Sequence, residues 1–286
     1  MTMKLQPDEP DKEFRTIFKK AGTTVKVETS TAATWAWNTL KMLKKIENQA
    51  IGFLKRSKEG ILQLESSIPI DKETLTDALL DHVGVDAQNL DSNTWGSIPQ
   101  GILDEIKIHF GKGSDRVAQE WNAKNEEGLT GSLFGTIGPV SVGSWEFRLS
   151  PVEFSSKAKE NHAGADVALL MHVTAGDSRA AIKTLWFQAK KDERKTGNLD
   201  KLQDLPDQLT KMRKVTSQSF PLLYSRRGVV VASRLKSPKR TEIQDFIVEA
   251  LKCKYGDPDP KVFADSIDRT TIFELAIKKK KPKKKT

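Results

Sequence analysis

The 286-residue chain holds a single cysteine, Cys253, which excludes an internal disulfide framework and a cysteine-based zinc site. One cysteine fits a reducing compartment. Its four histidines are too scattered to point to a metal cluster. No apolar run approaches the roughly 18–20 residues needed to span a bilayer. The start, Met1 to Pro10, carries acids and no apolar run, so it does not read as a secretory signal. No phosphate loop of the GxxxxGK[ST] type occurs, which argues against a motor or ATPase. What the chain does have is charge and enough apolar residues for a core: 30% charged and 37% hydrophobic, the composition of a globular protein. Its formal net charge is +9, yet Lys278–Lys281 and Lys283–Lys285 supply seven of the 47 basic residues. The body is close to neutral, and the basic character sits in a low-complexity tail expected to be disordered.

Length suggests one or two domains. In the first third, Trp35, Leu40, Leu43, Ile46, Ile51 and Leu54 recur at three to five residues, a helical spacing with lysines between them. A second helix is expected after Asp71, carrying Leu75, Leu79 and Val83 and ending at Gly84. A third runs from about Pro99 to His109 and stops at Gly111. No strand pattern stands out here, so residues 1–111 read as an all-α N-terminal domain. Beyond Gly113, Ser114 can cap a helix with apolar positions Val117, Trp121, Leu129, Leu133 and Phe134. Strand character follows at Ser144–Leu149, Ala165–Val173 and Ile182–Lys190. A polar helix spans about Leu199 to Val215, which Pro206 should kink or divide. The apolar Gly228–Ala232 reads as a buried strand, Glu242–Lys254 as a helix with Cys253 in its core, and Thr271–Ile277 as a last strand. The order predicts an α/β sheet flanked by helices over 112–277, with 278–286 as the tail.

The chemistry-bearing residues stand at strand ends. Asp166 opens one strand, and Gln188 and Lys190 close another on one face, because residues i and i+2 of a strand point the same way. Antiparallel pairing of the two would bring Asp166 to Gln188 and Lys190. Glu126 and Glu127 lie on the preceding helix. Phosphodiester hydrolysis uses a divalent cation to neutralise phosphate and activate water, and Mg²⁺ takes oxygen ligands, often with only one or two carboxylates. Asp166, a helix Glu and the Gln188 carbonyl suit that cation, and Lys190 can position or activate the water. Each has a plainer use: lysines blunt strand edges, and helix acids sit on solvated faces.

The αβββαβ order, with Glu on the helix, Gly164-Ala165-Asp166 on one strand and Gln188-Ala189-Lys190 on the next, resembles the PD-(D/E)xK nuclease superfamily. Its QxK variant, found in Mrr-like restriction endonucleases and antiphage-defence nucleases, is the closer likeness, over about Ser114 to Ala232. The resemblance implies a restriction-endonuclease-like fold and an Mg²⁺-dependent endonuclease, with Mn²⁺ as a substitute cation. In that pattern Asp166 matches the metal-binding aspartate, Gln188 stands in for the second acid, and Lys190 matches the catalytic lysine. Glu127 is the better match to the helix glutamate, with Glu126 its substitute. Gln208, Lys211, Lys191, Arg226 and Arg227 are candidate backbone contacts. The resemblance implies DNA ahead of RNA, which nothing in the residues excludes, with a protein partner or self-association through the N-terminal helices and no membrane. The expected location is cytoplasmic, or nuclear in a eukaryote, since the lysine run resembles an import signal. The alternative reading is a nucleic-acid-binding or scaffolding protein with an inert nuclease fold.

Overall fold

The computed structural model describes residues 52–56, 62–66, 76–77, 80, 89–135, 137–154, 165–176, 179–192, 199–202, 204–267 and 271–280. The elements in chain order are β1 (Gly52–Arg56), β2 (Leu62–Ser66), α1 (Gln100–Glu120), α2 (Glu126–Phe134), β3 (Ile137–Val142), β4 (Trp145–Phe154), β5 (Val167–Thr174) and β6 (Ala180–Lys191). They continue as α3 (Leu205–Arg213), β7 (Ser219–Ser225), β8 (Gly228–Ala232), β9 (Arg240–Glu242), α4 (Ile243–Leu251), α5 (Pro260–Ile267) and β10 (Thr271–Lys279).

The expected mixed α/β architecture is present. One 10-stranded sheet runs β1-β2-β4-β10-β5-β6-β7-β8-β9, with β3 paired to β4. Alternation along the strands splits the core into two layers. Val167, Leu169 and Met171 of β5 with Leu185 and Phe187 of β6 pack under α1, α2 and α4. Ala168 and Leu170 with Ile182 and Trp186 pack on the other face under α3 and α5. The central strands are buried on both faces, so they read as continuous apolar runs. The last strand is not an edge: β10 enters the middle of the sheet, parallel to β5 and antiparallel to β4.

Several sequence expectations change. The helical spacing through Ile51 and Leu54 gives way to strand β1, which pairs with β2, because short apolar runs do not separate the two periods. The rest of that expected helix, most of the one after Asp71, and the tail from 281 onward lie outside the described residues. Lys278 and Lys279 belong to β10, and Lys280 pairs with Glu146 at 3.3 Å, so the tail begins later than 278. The helix from Pro99 does not stop at Gly111; α1 runs unbroken for 21 residues across the expected 111/112 domain boundary. Gly113 is a contact rather than a terminator, since a Cβ there would lie 2.6 Å from the Leu133 carbonyl oxygen of α2. Ser114 sits inside this helix and its Oγ accepts from the Val229 N–H at 2.8 Å, docking α1 on β8. The chain breaks instead at Trp121–Lys124, and Asn125 caps α2 by accepting from the Gly128 N–H.

One expectation here holds: the stretch Leu199 to Val215 is divided, a single 3-10 turn at Leu199–Lys201 being separate from α3, and Pro206 lies in the first turn of α3, where a missing N–H costs least. Strand β7 has no counterpart among the sequence expectations, since Pro221 argues against a central strand. Pro221 precedes the first residue paired with β8, so its missing N–H falls where that ladder has ended. Strand β3, with Gly138 and Pro139, has none either. Cys253 is exposed just past α4 at φ 66°, not in a core.

Candidate functional site

The register Val167↔Phe187 places Asp166 opposite Gln188, as the antiparallel pairing requires. The Asp166 main chain is pinned on both sides: its N–H donates to the Phe187 carbonyl at 3.0 Å, and its own carbonyl accepts from Thr271 at 3.3 Å. Beyond this point β5 has ended, and the N–H groups of Ala189 and Lys191 on β6 face the vacated side. Two carboxylates meet these N–H groups. Asp166 Oδ2 accepts from the Ala189 N–H at 2.9 Å, and Glu126 Oε1 accepts from the Lys191 N–H at 2.9 Å. Acids from a strand start and a helix start thus meet on one strand end, two residues apart.

Gln188 is 1% exposed, and its Nε2 donates to Asp166 Oδ2. Its Oε1 is buried with no hydrogen-bond partner, an acceptor left without a donor. Lys190 is half-buried on the same face. Protein crowding around the Asp166 carboxylate pushes its pKa up to about 6, although much of the residue remains open to solvent. The Ala189 N–H and the Lys190 charge oppose that shift, and Glu126 adds to it. Burial also pushes the Tyr224 phenol up, with Asp166 and Glu126 adding to the effect. Tyr224 shares a 2.7 Å hydrogen bond with Thr130, whose hydroxyl donates to the Glu126 carbonyl, so α2 is fastened to β7 beneath its acid.

One assignment changes. Glu127, the closer motif match, is exposed in the first turn of α2. Glu126 is the acid that reaches β6. Lys191 points to the face opposite Lys190, where its Nζ donates to the Trp121 carbonyl at 2.7 Å. Arg226 and Arg227 are exposed on the β7–β8 turn. That turn lies at the same sheet end, because β7 runs parallel to β6 and pairs Tyr224 with Lys191. Gln208 lies on α3, over the face that carries Gln188; its Oε1 is buried without a partner, and no hydrogen bond joins it to Asp166, Gln188 or Lys190. Lys211 is exposed in the last turn of α3, where a cation complements the helix dipole.

The sequence reading missed Asp192, which follows Lys190 on the same face. It is buried, donates its N–H to the Tyr224 carbonyl at 2.9 Å and accepts from Arg240 at 3.2 Å. An acid directly after the Lys190–Lys191 pair was the available signal. Gly164 lies outside the described residues.

Among the described residues no group of three or more His, Cys, Asp or Glu side chains comes together as a metal cluster. Two carboxylates and a carbonyl whose buried oxygen lacks a donor still form an all-oxygen set of the type a hard cation takes. Among the described residues no helix is long and apolar enough to cross a membrane. No family model, curated protein or solved structure matches the chain.

Proposed function

We propose that the chain is a divalent-cation-dependent nuclease of restriction-endonuclease-like fold that hydrolyses DNA. The supporting observation is the pair Asp166 and Glu126, held by adjacent outward N–H groups of β6 with Gln188 and Lys190 alongside. Asp166, Glu126 and the Gln188 carbonyl would hold Mg²⁺, or Mn²⁺ in its place. The bound cation supplies charge neutralisation for the phosphate and a more acidic water. At neutral pH Asp166 is mostly ionised, since its pKa is about 6. Lys190 lies close enough to act on that carboxylate, and its amine orients the attacking water or meets charge on a phosphate oxygen. Tyr224 and Thr130 hold α2 so that Glu126 keeps its position.

One observation favours the second reading, binding without cutting: Asp166 Oδ2 and Glu126 Oε1 are each already satisfied by a main-chain donor. Supercoiled plasmid separates the two. With Mg²⁺ the wild type should nick or linearise it, EDTA should stop the reaction, and Asp166→Ala and Lys190→Ala should each be slower by about 100-fold or more. Cleavage persisting in both variants overturns the site; salt-sensitive binding with no cleavage in Mg²⁺ or Mn²⁺ supports the inert protein.

A further inference from the structure

We infer that Trp121, at the end of α1, is a positioning residue that organises Lys191 and Arg226 into a two-cation clamp for the DNA phosphodiester backbone. The inference rests on the nucleic-acid reading above. Trp121 is fixed at both ends: its Nε1 donates to the Tyr224 carbonyl at 3.2 Å, and its own carbonyl accepts from Lys191 Nζ at 2.7 Å. The ring is therefore set in place before any ligand arrives. Lys191 Nζ and the Arg226 guanidinium carbon each lie 4.8 Å from its centroid, within reach of the ring's negative face. These cations come from different elements, the end of β6 and the β7–β8 turn, and Trp121 is what joins them.

Their place beside the acids gives the arrangement its chemistry. The Lys191 N–H holds Glu126 while its side chain stacks on Trp121, so one residue links the clamp to the carboxylates. Two carboxylates repel a polyanion, and a site that must receive one needs flanking positive charge. Two like charges gathered at one ring suit a ligand with repeated negative charge and many acceptor oxygens. An ammonium has three donors and a guanidinium five, and the guanidinium's planar fork matches the geometry of a phosphate. If the cations merely packed on an aromatic surface, they would stabilise the fold slightly and leave DNA binding unchanged.

The test uses the full chain carrying Asp166→Ala, without divalent cation, and a labelled DNA duplex titrated across salt concentrations. Removing one cation that meets a phosphate should reduce the slope of log K against log salt by about 0.9. Lys191→Gln with Arg226→Gln should reduce it by about 1.8. Trp121→Leu should give much of that reduction, Trp121→Phe should restore most of the slope, and adding Trp121→Leu to the double variant should change little. An unchanged slope in the double variant overturns the clamp. A reduced slope there with no effect of Trp121→Leu overturns Trp121 as its organiser. If Trp121→Leu fails to fold, Trp121→Met and Trp121→Gln take its place with the same two outcomes, and the double variant still tests the cations. Expected slopes in a chain whose wild type does not cleave plasmid would keep the clamp and remove the nuclease; no DNA binding at all would remove both.

Discussion

At the residue scale, the site is an edge repair made by two acids. Ala189 and Lys191 need acceptors once β5 stops, and Asp166 and Glu126 supply them. A buried lysine elsewhere on β6 shows how strongly this fold can bias a charge. Lys183 is 4% exposed, donates from Nζ to the Ala250 carbonyl at the end of α4, and lies 4.0 Å over the Trp95 ring. Burial pushes its pKa down to about 8 from 10.5. Between those values the unfolded chain keeps a proton that the folded one releases, so stability rises with pH across that window. Urea melts at pH 7 and 9.5 should show wild type gaining about 2 kcal/mol relative to Lys183→Met; a flat difference contradicts the burial. Asp166, Gln188 and Lys190 were legible because strand periodicity puts Gln188 and Lys190 on one face and antiparallel pairing sets Asp166 opposite Gln188. The choice of Glu126 over Glu127 was not, since neighbouring helix positions differ by about 100° and only the docking of α2 selects one.

At the element scale, glycine misled, and apolar spacing misled where the run was short, as at Ile51 and Leu54. Gly111 and Gly113 look like a helix stop, but α1 needs Gly113 so that α2 can approach its backbone. Gly113→Ala should destabilise the fold by about 1–3 kcal/mol, because the Cβ would press on the Leu133 carbonyl. Gly111→Ala, with nothing within 4 Å of the added carbon, should be neutral or stabilise by up to about 1 kcal/mol. Thermal or urea denaturation of the pair checks this, and equal effects contradict the close approach. The apolar runs of β5, β6, β8 and β10 marked themselves as strands. β7 did not, because Pro221 is a strand breaker whose cost depends on where the neighbouring ladder ends, which is a tertiary fact.

At the scale of the whole molecule, the two core layers bind distant segments into one structure. Ile102, Leu103, Ile106 and Phe110 of α1 are buried in the same layer as Phe187 and Phe273. A chain starting at residue 112 would be without all four. At roughly 1.5–3 kcal/mol for each buried side chain, that deficit rivals the roughly 5–15 kcal/mol of a typical domain. Such a chain should show no cooperative thermal transition, and a transition matching the full chain would contradict a core that extends across residue 111. The position of β10 between β4 and β5 was equally hidden, since strand order depends on which faces the helices cover and not on any one segment's pattern.

The most direct test of the central claim is calorimetric titration of Mn²⁺ into the DNA-free chain at pH 7.5. The wild type should bind one cation saturably. Asp166→Ala and Glu126→Gln should each weaken binding by about 10-fold or more, the scale on which metal affinity responds to changes around a site, while Glu127→Gln stays within about twofold. No saturable binding, or weaker binding in Glu127→Gln but not in Glu126→Gln, would contradict a cation site at the end of β6.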